Sequence, residues 1–321
     1  MKVLITGTAG FILGNFVRKT NYERKDLSII GVDKLVKSLD NVYVNSNTLR
    51  IGDVADEHFI NTIFEIEKPD AVIHGAAESF VDHSLKNPNI FIHSNVLGTQ
   101  VIVNACIKYN VKKLVLLSSD EIYGQLSSED DALWTEDSPM KPRNPYSASK
   151  AASELIVQAA GHSFGLNYCI TRSSNNYGPW QTAEKFIPKV IQCIMNDKKI
   201  PIYGQGKQIR DWMHVWDNCS AILKVLDNGK SGEIYNISAN QEFSNIEIVN
   251  MICGIMGKGH SLIDFVAERP GHDFRYGINS SKMRQLGWSP NFKLKHGLTK
   301  TVEWYKLNNF MLKTNDKNNN N

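Results

Sequence analysis

The stretch KVLITGTAGFILG, residues 2–14, decides the fold class of this chain. Lys2–Thr6 is rich in apolar and β-branched side chains and predicts a buried strand, while the periodicity of residues 11–18 predicts a helix. The glycines between them permit a tight turn in which the backbone approaches a pyrophosphate at the helix N-terminus. We therefore expect Gly7, Gly10 and the amides of Phe11 and Ile12 to form a dinucleotide-binding turn.

The spacing of these glycines departs from the usual pattern. A third glycine normally allows close packing between helix and strand, but this chain has Leu13 at that place and a glycine only at Gly14. One residue along a helix is a rotation of roughly 100°, so Gly14 is not an equivalent substitute. We expect the first helix to shift slightly outward while the dinucleotide still binds.

A carboxylate, Asp33, closes the second predicted strand, residues 27–33, at the distance of about 20 residues typical of a ribose-binding acid. Such a group repels a 2′-phosphate, which favours NAD over NADP. The alternative role, a helix or turn cap, is less favoured because the glycines and the strand accompany it. Lys34 follows directly, and Asp53-Val54, after the strand Leu49–Ile51, are expected beside the adenine.

Short apolar runs and helical patterns alternate through the N-terminal half, which is typical of a parallel sheet covered on both faces. We therefore predict an α/β fold: a Rossmann-like doubly wound parallel sheet with a smaller α/β substrate-binding region. The NAD-binding Rossmann domain spans 1–174, with some later elements returning to it. Glycines and prolines become frequent afterwards, so 175–312 is mainly the ligand-binding region, and the Asn-rich tail 313–321 is expected to be disordered. Further strands are predicted at 71–74, 113–118 and 167–172, and helices at 57–68, 90–109 and 146–164.

Composition excludes several classes of function. The 321 residues carry a formal net charge of only +3, which is too little to indicate nucleic acid or an anionic membrane as a partner. We find no run of 18 apolar residues and no signal-peptide pattern, so a cytoplasmic protein is expected. The five cysteines are widely spaced, and neither they nor the histidines show metal-ligand spacing, which favours free buried thiols and no metal.

Two further motifs carry chemistry. Tyr146 and Lys150 lie four residues apart, on one face of a predicted helix, where an ammonium group favours ionisation of a phenol. The segment SSDEIYG, residues 118–124, puts Asp120 and Glu121 at the exit of a predicted buried strand. An acidic pair there is either a solvated turn or a general acid beside a general base.

The motifs GTAGFI, VDKL, AAESFVDHS, SSDEIYG, NPYSASK, SNNYGPWQ, EKFIP, PIYGQGKQIRDW and RPGHDFRY together resemble the extended short-chain dehydrogenase/reductase family. Within that family the chain is most similar to the nucleotide-sugar 4,6-dehydratases, because the Asp-Glu pair accompanies the Tyr/Lys pair. The likeness extends from Lys2 to about Tyr305. It makes the solvated-turn reading of the acidic pair the weaker one.

This resemblance implies a reaction on a nucleotide-diphosphoglucose, with dTDP-glucose favoured and UDP-glucose as the alternative. Tyr146 would take the O4 proton with support from Lys150 and Ser119, and NAD would store the hydride. Glu121 would then remove the C5 proton while Asp120 protonates the departing C6 hydroxyl. The product would be a 4-keto-6-deoxy sugar.

The resemblance also implies binding residues beyond the catalytic ones. Arg210, Arg269 and Arg275 suit phosphate binding, since guanidinium groups match phosphate oxygens; the alternative is that Arg210 pairs with Asp211 and Arg275 with Asp273. For the cofactor we add Ala76, Ala77, Ser94 and Asn176, as well as Tyr146 and Lys150. For the substrate we expect Ser79, Ser119, Asn175, Lys185, Phe186, Pro201, Ile202, Tyr203, Asn245, His272 and Asp273.

Other functions remain open at this point. A UDP-sugar 4-epimerase or decarboxylase would share the glycine turn and the Tyr/Lys pair but would not need Asp120-Glu121. A non-catalytic protein that senses NAD or a nucleotide sugar would be expected to lack at least one catalytic side chain. The helices predicted at 90–109 and 146–164 resemble those that form a four-helix homodimer interface in the family.

Overall fold

The computed structural model describes residues 1–35, 48–258, 260–268 and 272–312. Its largest element is a seven-stranded sheet with the strand order β10-β6-β5-β4-β1-β2-β3, and all of its strand pairs are parallel. The order reverses between β1 and β4, which is the topological switch point of a doubly wound sheet. The strands of this sheet are β1 (Lys2–Thr6), β2 (Ser28–Asp33), β3 (Leu49–Ile51), β4 (Ala71–His74), β5 (Lys113–Ser119), β6 (Tyr168–Ser173) and β10 (Glu233–Ile237).

Two smaller sheets follow. One has the order β11-β9-β7 and the other pairs β12 with β8. Their strands are β7 (Asn175–Tyr177), β8 (Ile200–Tyr203), β9 (Ile209–His214), β11 (Glu242–Ser244) and β12 (Ile263–Val266). The helices of the described residues are α1 (Phe11–Glu23), α2 (Glu57–Glu67), α3 (Val81–Lys86), α4 (Pro88–Phe91), α5 (Gly98–Lys108), α6 (Pro145–Phe164), α7 (Phe186–Met195), α8 (Val215–Asn228), α9 (Asn245–Met256), α10 (Ser281–Gln285) and α11 (Leu294–Leu307).

Both faces of the large sheet are buried, which explains the continuous apolar runs of its strands. Successive residues of β1 point to opposite faces of the sheet, so Ile5 and Leu4 lie in two different cores. The first core is shared with α1 and α8, and the second with α2, α5 and α6. This arrangement confirms the predicted α/β class with a Rossmann-like parallel sheet.

Later segments return to the large sheet. β10 pairs with β6, and α8 packs against α1 in the first core. Lys113 fixes the end of α8, because its Nζ donates to the carbonyls of Val225, Leu226 and Gly229 at 2.8, 3.0 and 2.8 Å. A separate core joins α7, α9 and α11 with the smaller sheets. The domain boundary at residue 174 stays a prediction.

The helix predicted at 90–109 forms a continuous helical segment, Pro88–Lys108, that includes the π-helical turns Ile92–Leu97. Among the described residues it is the one helix long and apolar enough to cross a membrane. However, 56% of its most apolar window is buried inside the protein, and the core helices of soluble proteins meet the same criteria. Its side chains Phe91, Ile102 and Cys106 are almost fully buried.

Candidate active site

A cleft of about 400 Å³ opens at the carboxyl edge of the large sheet, around the switch point between β1 and β4. Ligands of open α/β sheets bind at this place, because the strand ends and the helix N-termini converge there. The residue that follows each of six neighbouring strands lines the cleft: Gly7, Lys34, Gly52, Gly75, Asp120 and Ser174.

The glycine turn has little room for side chains. Gly7 has a φ of +85°, and a Cβ added to it would lie 2.9 Å from the backbone nitrogen of Ala76. Its own N–H donates to the carbonyl of Val32 at 2.7 Å, which ties the turn to β2. The N-cap of α1 is Gly10, and no side chain caps the helix there. The first amides of α1 therefore face the cleft, where they could bind an anion.

Leu13 occupies its place because a neighbouring residue has no side chain. Leu13 is almost fully buried beneath the cleft, against Gly75 at the end of β4. A Cβ on Gly75 would lie 2.5 Å from Leu13 Cδ1 and 3.1 Å from Leu117 Cδ2. The space that the third glycine would have left in α1 is thus provided from the sheet. Leu13 packs in the first core together with Phe16 and Val17.

Asp33 lies at the end of β2, beside the glycine turn. Its two carboxylate oxygens accept the backbone N–H groups of Ala9 and Leu35, both at 2.9 Å. These bonds fix the carboxylate at the cleft wall. Nearby, Lys34 Nζ contacts Glu78 Oε1 at 2.9 Å and Ser94 Oγ at 3.0 Å.

The acidic pair lies in a 3₁₀ turn, Asp120–Tyr123, directly after β5. Ser119 caps this turn by accepting the Glu121 N–H, and its hydroxyl donates to Asp120 Oδ1; both distances are 3.3 Å. Asp120 is only 3% exposed. Burial raises its pKa well above the usual range, and the charge of Glu121 adds to the effect, while Arg210 opposes it. A carboxyl group whose environment favours its protonated form therefore lies beside a second carboxyl group, which is the pairing that acid–base chemistry requires.

Tyr146 and Lys150 lie on the first turns of α6. The helix starts with a capping box between Asn144 and Ser147, which fixes its entry into the cleft. Burial raises the pKa of the Tyr146 phenol; Glu121 adds to this, and a hydrogen bond with the side chain of Ser119 opposes it. The sequence predicted that Lys150 would instead favour ionisation of this phenol.

Lys150 is also buried, and its Nζ donates to the carbonyl of Leu117 at 2.5 Å. Burial lowers the pKa of its ammonium group to about 8, against the opposing effect of Glu154. The lysine thus loses its proton more readily than an exposed lysine does. The ammonium group is held against β5, and its effect on the ionisation of Tyr146 stays a prediction.

The cleft brings together most of the residues that the sequence singled out. All the expected catalytic and cofactor residues line it, together with four of the expected substrate residues, Ser79, Ser119, Asn175 and Lys185. The amide oxygens of Asn175 and Asn176 are buried there and have no hydrogen-bond partner in the described residues. The catalytic and cofactor residues in the cleft are Gly7, Gly10, Phe11, Ile12, Asp33, Lys34, Asp53, Val54, Ala76, Ala77, Ser94, Ser119, Asp120, Glu121, Tyr146, Lys150 and Asn176.

The remaining expected substrate residues lie outside the lining of this cleft. Phe186 stacks on Trp212 with ring centroids 5.8 Å apart, and Tyr203 packs edge-on against His272 at 5.9 Å. Asn245 begins α9, and its Nδ2 donates to Gln208 at 3.4 Å. On β8, Ile202 is buried and Pro201 is exposed. Arg269 lies outside the described residues.

The arginines differ in their surroundings. Arg210 is buried beside the ring of Tyr276, 4.2 Å from its centroid, and donates to the carbonyls of Ile209, Asp273 and Phe274. Its charge affects Asp120, so it lies near the acidic pair. Neither alternative pairing is present: Asp211 accepts four other donors, and the carboxylate of Asp273 contacts Arg143 and Tyr276.

Arg275 requires a correction. Its Nε and Nη2 donate to Glu242 at 2.6 and 3.1 Å, and its Nη1 donates to the carbonyls of Ser128, Glu129 and Asp131. Every guanidinium nitrogen is used within the protein, which is a structural role and not a phosphate contact. The sequence prediction erred because these partners lie far away in the chain.

Several residues of the cleft were not predicted from the sequence. Glu78 lies inside the quoted AAES motif but was not assigned a role, although its acidic side chain reaches Lys34. Ser118 was also passed over, and its buried Oγ has no partner in the described residues. The motif SNNYGPWQ pointed to Gln181, whereas nothing in the sequence distinguished Thr182 and Glu184 from ordinary loop residues.

Comparisons with known proteins agree with this geometry. The model of the NAD dependent epimerase/dehydratase family matches residues 3–238. A protein from Xanthomonas campestris pv. campestris, named dTDP-glucose 4,6-dehydratase, is 39% identical over 330 residues, which cover 95% of this chain and 93% of that one.

Solved structures give the same result. The dTDP-glucose 4,6-dehydratase of Streptomyces venezuelae, crystallised with NAD bound, has a TM-score of 0.90 and 37% identity, covering 97% of this chain and 98% of its own. The UDP-glucose 4-epimerase of Thermotoga maritima has an equal TM-score of 0.90 but only 27% identity, covering 96% and 99%. The folds are therefore equally similar, whereas the sequence is closer to the dehydratase.

Proposed function

The chain belongs to the NAD dependent epimerase/dehydratase family, and from this premise we propose that it catalyses the NAD-dependent 4,6-dehydration of dTDP-glucose. Membership confirms the family resemblance drawn from the motifs, and it confirms NAD as the cofactor. The observation that carries the proposal is the buried Asp120, whose pKa is raised, beside Glu121 and within the same cleft as Tyr146 and Lys150. An epimerase needs Tyr146 and Lys150 but not the Asp120/Glu121 pair.

The residues of the cleft fit NAD. Gly7 lets the turn pass close to the backbone of Ala76, and Gly10, Phe11 and Ile12 line the cleft beside it, where the first amides of α1 would meet a pyrophosphate. Asp33 would hold the adenosine ribose, and Asp53 and Val54 would lie against the adenine. When bound, NAD would accept the hydride from C4 of the sugar and later return it to C6.

The side chains of the cleft would carry out the proton transfers of the reaction. Tyr146, hydrogen-bonded to Ser119, would take the proton of the O4 hydroxyl in its phenolate form, and the ammonium of Lys150 would stabilise that phenolate. The resulting C4 ketone acidifies the C5 proton, which Glu121 would remove. Asp120, whose raised pKa favours the protonated form, would give its proton to the C6 hydroxyl as water leaves. The product is a 4-keto-6-deoxy sugar.

The nucleotide would extend toward the smaller sheets. Lys185 joins the two sides of the cleft, since its Nζ donates to the carbonyl of Ser79 at 2.9 Å. Phe186, residues 201–203, Asn245 and His272 are our candidates for the base and ribose, and Arg210 for the diphosphate. The preference for dTDP over UDP rests on the names of the relatives and on these motifs.

We expect a soluble, cytoplasmic homodimer. Leu97 in the helical segment Pro88–Lys108 is 46% exposed, and Leu155 on α6 is 57% exposed. These apolar side chains on neighbouring helices would be covered if the helices paired with those of a second copy. Light scattering at micromolar concentration should give the mass of a dimer, and the mass of a monomer would exclude this interface.

The decisive experiment separates oxidation from dehydration. Asp120→Asn keeps the shape of the side chain but has no acidic proton, so turnover of dTDP-glucose should fall by about 10²–10⁴-fold. Oxidation at C4 should continue, because Tyr146 and Lys150 are unchanged. The variant should therefore accumulate enzyme-bound NADH, which is measured by absorbance.

Tyr146→Phe is the matched control, and it should give neither NADH nor product because the oxidation itself is blocked. Mass spectrometry of the wild-type product distinguishes the alternatives, since only dehydration loses the mass of water. A product of unchanged mass would indicate an epimerase, and wild-type turnover by Asp120→Asn would show that Asp120 is not the acid.

A further inference from the structure

Two opposite charges are completely buried behind the catalytic side chains. Arg172 on β6 donates through Nε to both carboxylate oxygens of Glu154 at 3.1 Å, and through Nη2 to Oε2 at 2.7 Å. The two side chains are 2% and 0% exposed. Buried ion pairs contribute little net stability compared with apolar residues of similar volume, so stability alone does not account for this pair.

The pair connects the two elements that carry the chemistry. Glu154 lies on α6, one turn after Lys150 and two turns after Tyr146. The other end of the arginine, Nη1, donates to the hydroxyl of Tyr123 at 2.6 Å, and Tyr123 is the last residue of the 3₁₀ turn that begins with Asp120. One guanidinium group thus joins the acid–base turn to the helix of the oxidation step.

This connection is reinforced on the side away from the cleft. The Tyr123 hydroxyl donates to Asn236 on β10 at 2.8 Å, and Arg172 Nη1 also donates to the carbonyl of Glu136 at 3.0 Å. Arg172 lies opposite Ser118 in the register of β5 and β6, immediately below the cleft floor. Catalytic rates are sensitive to displacements of about 1 Å. The position of the Asp120–Tyr123 turn relative to α6 should therefore affect the rate of the reaction.

Glu154 also acts on Lys150 through its charge. Several titratable groups surround the lysine, but burial favours the neutral forms of both Asp120 and His74. Glu154 is the group whose charge raises the pKa of Lys150 against the effect of burial. The groups around Lys150 are Tyr146 and Glu154 on α6, His74 on β4, Arg172 on β6, and Asp120 and Glu121 in the turn after β5.

We propose that Glu154 and Arg172 are positioning residues of the reaction: Glu154 places a buried carboxylate one helical turn from Lys150, and Arg172 holds the Asp120–Tyr123 turn in place against α6. The proposal rests on the proposed function, since it assigns the two residues to its two chemical steps. Variants of the two residues should therefore show two separable defects. Loss of Glu154 should affect the charge of Lys150, and loss of the Arg172 contact should affect the placement of the acid Asp120.

The first test removes both charges at once. Glu154→Met/Arg172→Met replaces the buried pair with apolar side chains, an exchange that folded proteins often tolerate. In the folded double variant the pKa of Lys150 should fall, because Glu154 is the member of the pair whose charge raises that pKa. It is measured by NMR titration of ¹³C-labelled lysine, with the signal assigned from Lys150→Met. This readout needs no substrate, so it stands even if the proposed function fails.

In the same variant, the rate of NADH formation should begin to change at a lower pH on the alkaline side of its pH profile. This shift should be similar in size to the change in the pKa of Lys150. Glu154→Asp retains the charge and should keep the wild-type pH profile. An unchanged Lys150 titration in the folded double variant would overturn the role of Glu154.

The second test addresses the turn. Tyr123→Phe removes only the hydroxyl that Arg172 holds, and both charges remain. Dehydration should slow by about 10-fold while formation of NADH keeps its wild-type rate and pH dependence. This variant also tests the placement role if the double variant does not fold. Equal rates of dehydration in Tyr123→Phe and wild type would overturn that role.

Discussion

The contact between Leu13 and Gly75 gives a quantitative prediction about how the cofactor turn is supported. Leu13→Ala removes a buried side chain, which should cost about 2–5 kcal/mol of the free energy of unfolding. The cost should lie toward the upper end, because Gly75 has no side chain that could move into the cavity. Gly75→Ala should cost about 1–3 kcal/mol through overpacking, since the new methyl group would lie 2.5 Å from Leu13 Cδ1.

The double variant Leu13→Ala/Gly75→Ala should cost less than the sum of the single changes. The methyl group at position 75 no longer meets Leu13 Cδ1 and instead fills part of the cavity. We expect a coupling free energy of about 1–3 kcal/mol, within the range for residues in direct contact. Urea unfolding followed by circular dichroism measures all four proteins, and calorimetry measures their affinity for NAD.

The affinity for NAD should follow the same pattern, because both residues line the cofactor cleft. It should fall in each single variant and recover partly in the double variant. Costs that add to within about 0.5 kcal/mol would refute the reasoning, since independent sites behave in that way. Leu13 would then be accommodated by some other feature, such as the outward shift of α1 that the glycine spacing suggested.

Two further predictions concern stability away from the cofactor turn. Lys113→Met should lower the free energy of unfolding by about 1–3 kcal/mol, because three carbonyls at the end of α8 lose the ammonium donor of Lys113. The control is Lys112→Met, at a side chain that is 78% exposed. It should change the free energy of unfolding by less than about 0.5 kcal/mol in the same urea experiment. Burial lowers the pKa values of His74 and His214 to about 3 in the folded protein, so their contribution to stability is complete above pH ~6.5 and is lost as the pH falls toward 3. Each histidine should lower the free energy of unfolding by about 2 kcal/mol at pH 5. The decrease in that free energy between pH 7 and pH 5 should therefore be smaller in His214→Gln than in the wild type. An equal decrease in the two proteins would contradict the lowered pKa of His214.

The parts of the structure that could be predicted from the sequence are those with a local signal. The strand, glycine turn and helix of residues 2–18 are neighbours in the chain, and their pattern determined the sheet and the cofactor cleft. Tyr146 and Lys150 are separated by one helical turn, and Asp120 and Glu121 are adjacent. In each case the spacing alone brings the groups together.

The contacts that were missed join distant parts of the chain. The partner of Arg275 is Glu242, 33 residues earlier, and its carbonyl partners lie more than a hundred residues before it. Gly75 makes room for Leu13 from a different strand, and neither residue reveals the other in the sequence. Arg172 did leave a signal, since it is the one charged residue of β6, but its partner Glu154 could not be identified from spacing.

The return of α8 and β10 to the large sheet has a consequence for the chain during its synthesis. Until β10 leaves the ribosome, β6 is an unpaired edge, and until α8 does, the apolar face of α1 is partly uncovered. Unpaired edges and exposed apolar faces promote aggregation. A nascent chain that ends near residue 174 would therefore carry every motif of the cofactor turn but could not yet complete the sheet that supports it. Chaperone binding should be strongest over this interval, while the 59 residues between β6 and β10 are being made.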